Sequence, residues 1–150
     1  MYSAIVIGMT IVFPLVSIIV ELLLGNHAAP ELVAKWFVFW AVGVRLFTAG
    51  LRQVLQPSFT AKAIFNIGDP TAEKLVAEIG FGNLAMGSIA ALSLAFPNWV
   101  VRAGLTGALY LGLAGLKHVA NKDRNLKKNV AMITDLIVAA IVVAAILIQA

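Results

Sequence analysis

Five stretches of mainly apolar residues, each long enough to cross a bilayer, constrain this chain more than any other feature. A spanning helix needs about 20 such residues to cover roughly 30 Å of hydrocarbon. Residues 4–24 meet that length, interrupted only by Glu21. Residues 32–55 form the second stretch, the one least secure as a span because it holds Arg45 and Arg52. The third covers residues 74–96, with Glu78 near its start and no charge from Ile79 to Val101. Pro97-Asn98 separates it from the fourth, residues 99–120, and the fifth, residues 130–149, carries Asp135 in its second turn.

Composition agrees. Hydrophobic residues make up 61% of the 150 and charged residues 12%, against about a quarter charged in soluble domains. A core of this size cannot hide so much apolar surface. The expected fold is all-α: an integral membrane bundle of five transmembrane helices in one domain over residues 1–150, a four-helix core plus one added N-terminal helix. Met1-Tyr2-Ser3-Ala4 places no Lys or Arg ahead of the first apolar run. That run exceeds the apolar region of a signal peptide, so the first helix is expected to be retained.

Residues 56–69 link the second and third spans. Phe59, Ala63, Ile64 and Ile67 share an approximate helical face, while Thr60, Lys62 and Asn66 are more polar. The pattern fits a short helix in the membrane interface or a packed connector. Gly68-Asp69-Pro70 ends it, with Asp69 an N-cap and Pro70 at the first helical position of the next span.

Basic residues orient the bundle. Arg52, Lys62, Lys74, Lys117, Lys122, Arg124, Lys127 and Lys128 fall on one side; Lys35 and Arg102 fall on the other. A bias of this size in short loops predicts the richer side to be cytoplasmic, giving N-terminus in and C-terminus out across a prokaryotic inner membrane. Trp36, Trp40 and Trp99 then sit where interfacial anchors belong. The net charge of +4 therefore reads as topology, and no nucleic-acid partner is expected.

Charges inside the spans each cost about 2.5–3.5 kcal/mol on insertion scales, so the useful question is which of them meet. Arg45 and Arg52 are seven residues apart and share one helix face, with Asn83 about a turn from Glu78. Glu78 and Asp135 are expected to neutralise that basic face. The cluster Arg45, Arg52, Glu78, Asn83 and Asp135 is either a structural network that fixes helix partners or a polar pocket for an anion or polar headgroup. A proton relay through Glu78 or Asp135 is a narrower form of the second reading. Glu21 and Arg102, both toward the outer side, form a second expected ion pair.

Several chemistries lack their residues. There is no cysteine, hence no disulfide, thiolate metal site or thiol nucleophile. His27 and His118 lie at opposite ends of the bundle, and no His/Glu pair at helical spacing suggests zinc or di-iron. Gly80-Phe81-Gly82 lies within a helix, outside the strand–turn–helix setting of a phosphate loop. No nucleophile triad is visible, no cofactor is expected, and Met9, Met86 and Met132 read as packing side chains. Small residues recur at intervals of four in the third span (Asn83, Gly87, Ala91, Ala95), the fourth (Gly104, Ala108, Gly112) and the fifth (Ala131, Asp135, Ala139). Gly107 and Gly115 add a second stripe to the fourth. Such stripes let membrane helices approach closely, and the doubled one predicts that the fourth span is central or meets another subunit.

The run Glu78-Ile79-Gly80-Phe81-Gly82-Asn83-Leu84-Ala85-Met86-Gly87, preceded by Phe65-Asn66-Ile67-Gly68, resembles a family of small bacterial and archaeal membrane proteins of unknown function. Its Glu-x-Gly-x-x-Asn-Leu-x-x-Gly pattern opens a helix after a short connector. More distantly the chain is similar to the DoxX-like four-helix membrane proteins. The resemblance covers about residues 45–120 and implies a membrane bundle with Glu78 and Asn83 as its marked polar residues; it implies no activity.

Two functions follow as expectations. One is a non-enzymatic membrane protein that works by helix association, as a homo-oligomer or with a membrane partner protein, among lipids. The alternative is a transporter or channel for a small polar or anionic solute, built from several copies. A membrane enzyme is the least supported, for want of a nucleophile or metal cluster.

Overall fold

A computed structural model describes residues 2–25, 29–120 and 126–149. His27, Lys122 and Arg124 lie outside these residues, as do the side chains of Ile64 and Lys127.

Five helices are long and apolar enough to cross a membrane, and a sixth, short one lies between the second and third of them. Helix α1 covers Ser3–Leu23 and α2 covers Ala29–Leu55. The short α3 is Pro57–Thr60, followed by a wide turn at Ala61–Phe65. The remaining spans are α4 (Thr71–Leu92), α5 (Val100–Ala120, entered through a tight turn at Pro97–Trp99) and α6 (Leu126–Ile148). This is the five-span bundle expected from the apolar runs. Helix α2 starts at Ala29 rather than residue 32, and α4 runs 71–92 rather than 74–96. The cap expected at Asp69 is present: its carboxylate accepts the Thr71 N–H at 2.8 Å and pins the first turn, with Pro70 just before the helix.

Two spans are not continuous α-helices. In α1, the turn Gly8–Val12 widens so that the Phe13 N–H reaches the Gly8 carbonyl, five residues back. Pro14 follows, and its ring would otherwise strike the carbonyl of Thr10. In α2, the wide turn Val38–Val44 carries the Arg45 N–H to the Trp40 carbonyl. One additional residue in a turn rotates everything beyond it by about 100° relative to an unbroken helix. The turn therefore sets which way Arg45 and the rest of α2 face.

Helix α2 is the centre of the bundle. It touches α1, α4, α5 and α6, and half of its apolar window is buried, against 22% to 39% for the other spans. The fourth span touches helices on both sides, as its doubled stripe suggests: α5 packs mainly on α6 and also meets α2 and α4. Val38 and Val42 of α2 pack with Val138 and Val142 of α6, all fully buried, and Phe37, Leu46 and Leu111 join them. The outer surface is apolar, with Ile19 and Leu23 of α1, Leu109, Leu113 and Leu116 of α5 and Leu147 of α6 exposed. Such a surface suits hydrocarbon, where every backbone polar group is already satisfied within a helix.

The small-residue stripes are used inside the chain. A β-carbon on Gly87 would collide with the backbone nitrogen of Phe47, and one on Gly43 would lie 2.7 Å from the Ala91 nitrogen. Gly50 and Gly80 face each other one heptad away. This glycine seam holds α2 against α4. On α5, Gly104 and Gly107 receive Val38 and Val42 of α2, and Gly115 receives Leu136 of α6. Gly112 makes only ordinary contact with Ala139, and Gly82 faces open space.

At the end opposite the α2–α3 junction, α1 and α2 are clamped as a hairpin. Lys35 donates to both Glu21 carboxylate oxygens at 2.8 and 2.9 Å, and the Trp36 indole N–H donates to Glu21 at 2.7 Å. Trp40 donates to the Ser17 hydroxyl at 3.0 Å and packs on Phe13.

Candidate functional site

The wide turn of α2 sends Arg45 toward α6, where its Nη2 donates to the Asp135 carboxylate in an ion pair. Arg45 is 9% exposed and Asp135 4%. Burial of both charges is tolerable because each neutralises the other in a medium that solvates neither. The pair leaves one group over: Arg45 Nη1 is buried without a hydrogen-bond partner.

Beside the pair lies a cavity of about 610 Å³, within the range of small-molecule sites. Every span contributes to it. Ile5, Val6 and Met9 come from α1, Arg45, Leu46, Thr48, Arg52 and Gln53 from α2, and Ile79 and Asn83 from α4. Tyr110, Leu111, Lys117 and His118 come from α5, with Ala131 and Asp135 from α6. Phe59 and Thr60 of the connector close one side.

Asn83 is 4% exposed. Its amide nitrogen donates to the Gln53 carbonyl oxygen at 2.7 Å, while its own Oδ1 has no partner. The Arg52 guanidinium lies 3.6 Å from the centre of the Phe59 ring, a cation–π contact that tethers the connector to α2. The connector faces inward through Thr60 and Ala61, which are buried, whereas Ile67 is exposed. The face expected from Phe59, Ala63 and Ile67 is therefore shifted, because Pro57 starts the helix and the wide turn at Ala61–Phe65 breaks its period.

Of the five residues in the anticipated cluster, Arg45, Arg52, Asn83 and Asp135 line this cavity. Glu78 does not. It is exposed on another face of α4, so the basic face of α2 is met by Asp135, which pairs with Arg45 and leaves Arg52 to its contact with Phe59. Glu21 and Arg102 do not pair either: Lys35 and Trp36 hold Glu21, and Arg102 donates to the Asn98 carbonyl at 3.0 Å. Lys35 sits on the helix next in sequence to α1, which makes it the nearer cation.

Gln53, Tyr110, Lys117 and His118 were not expected at the cluster. Lys117 and His118 read as ordinary interfacial residues. The spacing Asn83-Gly87 gave one side of a helix seam, and only the seam's partner, α2, brings Gln53 to Asn83. Among the described residues no group of three His, Cys, Asp or Glu side chains is placed to hold a metal.

These features define a multi-pass helical membrane protein with a buried ion pair beside a mainly apolar cavity into which a few polar residues are built. The chain belongs to a family of unknown function (DUF6790), whose model matches residues 1–150. The match takes in the first span, beyond the central region that carries the sequence resemblance. No curated protein and no solved structure matches the chain.

Proposed function

We propose that this protein is a non-enzymatic membrane protein that binds a small polar or anionic solute in the cavity beside Arg45. In this reading the cavity end of the bundle faces the cytoplasm of a prokaryotic cell, with the C-terminus outside. The observation that carries it is the buried Arg45 Nη1, a charged donor without a hydrogen-bond partner among the described residues, on a side chain that lines the cavity together with Arg52, Lys117 and His118. Asp135 offsets one of the cations; the remainder favour a negatively charged occupant. A buried donor left unmade costs about 1–3 kcal/mol, more for a charged group, and an acceptor from a ligand removes that cost.

Binding is favoured over conduction through one chain. Val38, Val42, Val138 and Val142 form a dry plug beyond Arg45, so a through-route needs movement of α2 against α6 or a second copy. Helix association as the primary function has less to rest on, since Gly43, Gly87, Gly104, Gly107 and Gly115 are engaged within the chain. The test is thermal unfolding of the protein in an uncharged detergent against phosphate, sulfate and short carboxylates. A saturable rise in Tm with at least one anion, reduced in Arg52→Gln and Lys117→Gln, is expected. No response to any anion overturns the proposal.

A further inference from the structure

We propose that the cavity's occupant is a single-tailed amphiphile with a phosphate-monoester-type head, seated head-inward on Arg45 and Asn83 with its chain leaving between α1 and α4. This deepens the anion-site reading and rests on it.

The first argument is where the cavity opens. Ile5 of α1, Thr48 of α2 and Ile79 of α4 line it and are exposed residues, which places them at its mouth. Thr48 lies seven residues inside the Leu55 end of α2, and Ile79 lies eight inside the Thr71 end of α4. At 1.5 Å per residue these positions are roughly 10 Å inside their helix ends. On its α2 and α4 sides the mouth therefore opens at a depth where the surroundings are acyl chains; Ile5, Met9 and Ile79 make the rim mainly apolar, and Thr48 on it gives its hydroxyl to the Val44 carbonyl. A ligand that enters there passes through hydrocarbon, whereas a bare inorganic anion, which does not take that route, is left the end of the cavity beside Arg52 and Lys117.

The second argument is what the inner end asks for. Arg45 Nη1 requires an acceptor, and Asn83 Oδ1 requires a donor. The two residues are 9% and 4% exposed. A head that carries an oxyanion and an O–H on one centre satisfies both at once, and a singly protonated phosphate monoester is the simplest such group. Arg52 and Lys117, nearer the membrane surface on α2 and α5, flank the head and complement a negative charge. A carboxylate head answers Arg45 but leaves Asn83 without a donor.

The experiment compares dodecyl phosphate, inorganic phosphate, dodecanoate and dodecanol as stabilisers of the protein in an uncharged detergent, read as Tm against concentration. Dodecyl phosphate is expected to act at a midpoint concentration at least about tenfold below that of inorganic phosphate, and below that of dodecanoate, with no effect of dodecanol. Ile5→Trp and Ile79→Trp narrow the rim at exposed positions and leave the core intact. They should weaken the response to dodecyl phosphate and spare that to inorganic phosphate. Equal midpoints for the two phosphates, or indifference of dodecyl phosphate to both rim variants, overturn the amphiphile and leave the anion site standing. A midpoint for dodecanoate equal to that for dodecyl phosphate overturns the assigned head. Dodecanol acting as well as dodecyl phosphate overturns the assigned head, and no response to any probe overturns both readings.

Discussion

Arg45 and Asp135 each sit in an apolar run that cannot solvate them, and each is acceptable there because of the other. Removal of one member leaves a buried charge without compensation, at a cost of about 3–5 kcal/mol. Asp135→Ala and Arg45→Leu are therefore expected to unfold at markedly lower temperature than the natural chain. The double variant Arg45→Met/Asp135→Leu should recover most of that loss, because a well-packed apolar pair needs no desolvation. Equal stability of Arg45→Leu and the natural chain would refute a structural role for the pair. A second single-residue effect lies outside the spans. The Thr71 backbone N–H donates to Asp69 and holds its carboxyl below the ordinary value of 3.8. A depressed folded-state pKa contributes stability above the unfolded value and loses it as pH falls through the folded one. Protection of the first turn of α4 in hydrogen exchange should thus weaken as pH falls below about 3.8, and Asp69→Asn, which still caps, should lose that dependence. The two buried charges were visible in the sequence because charge in an apolar run is costly. Gln53 and Tyr110 were not, since a neutral polar side chain near a helix end is ordinary on any membrane protein.

At the scale of helices, the α2–α4 seam separates glycines that matter from one that does not. Gly87→Ala drives a methyl into the Phe47 backbone, which has no rotamer to yield. Overpacking of this kind costs about 1–3 kcal/mol, read as a fall in Tm. Gly82→Ala meets nothing and should hold or raise Tm, since Ala is the better helix former by about 0.5–1 kcal/mol. Both glycines belong to the same sequence run, and spacing alone does not tell them apart. Periodicity revealed that α4 and α5 carry close-approach faces, but the identity of the facing helix depends on the tertiary arrangement. The wide turn in α2 explains why. Nothing in Val38-Phe39-Trp40-Ala41-Val42-Gly43-Val44 announces an additional residue per turn, yet that residue rotates Gly50, Arg52 and Gln53 onto the faces they use. Pro14 gives α1 a local cause for its own wide turn; α2 has none in its sequence.

For the molecule as a whole, span number and approximate limits followed from apolar run length alone, because hydrocarbon thickness fixes helix length. Which helix stands in the middle did not. Lys35, Arg45 and Arg52 make α2 the most basic span, and that charge goes with burial at the bundle centre, where side chains meet protein on most sides. The orientation expected from the basic residues is directly testable because the chain has no cysteine of its own. In intact cells, a membrane-impermeant maleimide should label Gln149→Cys and spare Ser3→Cys until the membrane is opened. The reverse pattern would invert the topology. The ion pair also has a consequence in time. Arg45 and Asp135 are 90 residues apart, so at about 5–20 residues per second the ribosome delivers the carboxylate roughly 5–20 s after the arginine. Throughout that interval α2 holds an unneutralised cation, and its commitment to the bilayer stays provisional until α6 is made. The last helix thus serves as the latch of biogenesis, and a nascent chain stalled before it presents an unfinished α2 to the cell's quality-control proteases.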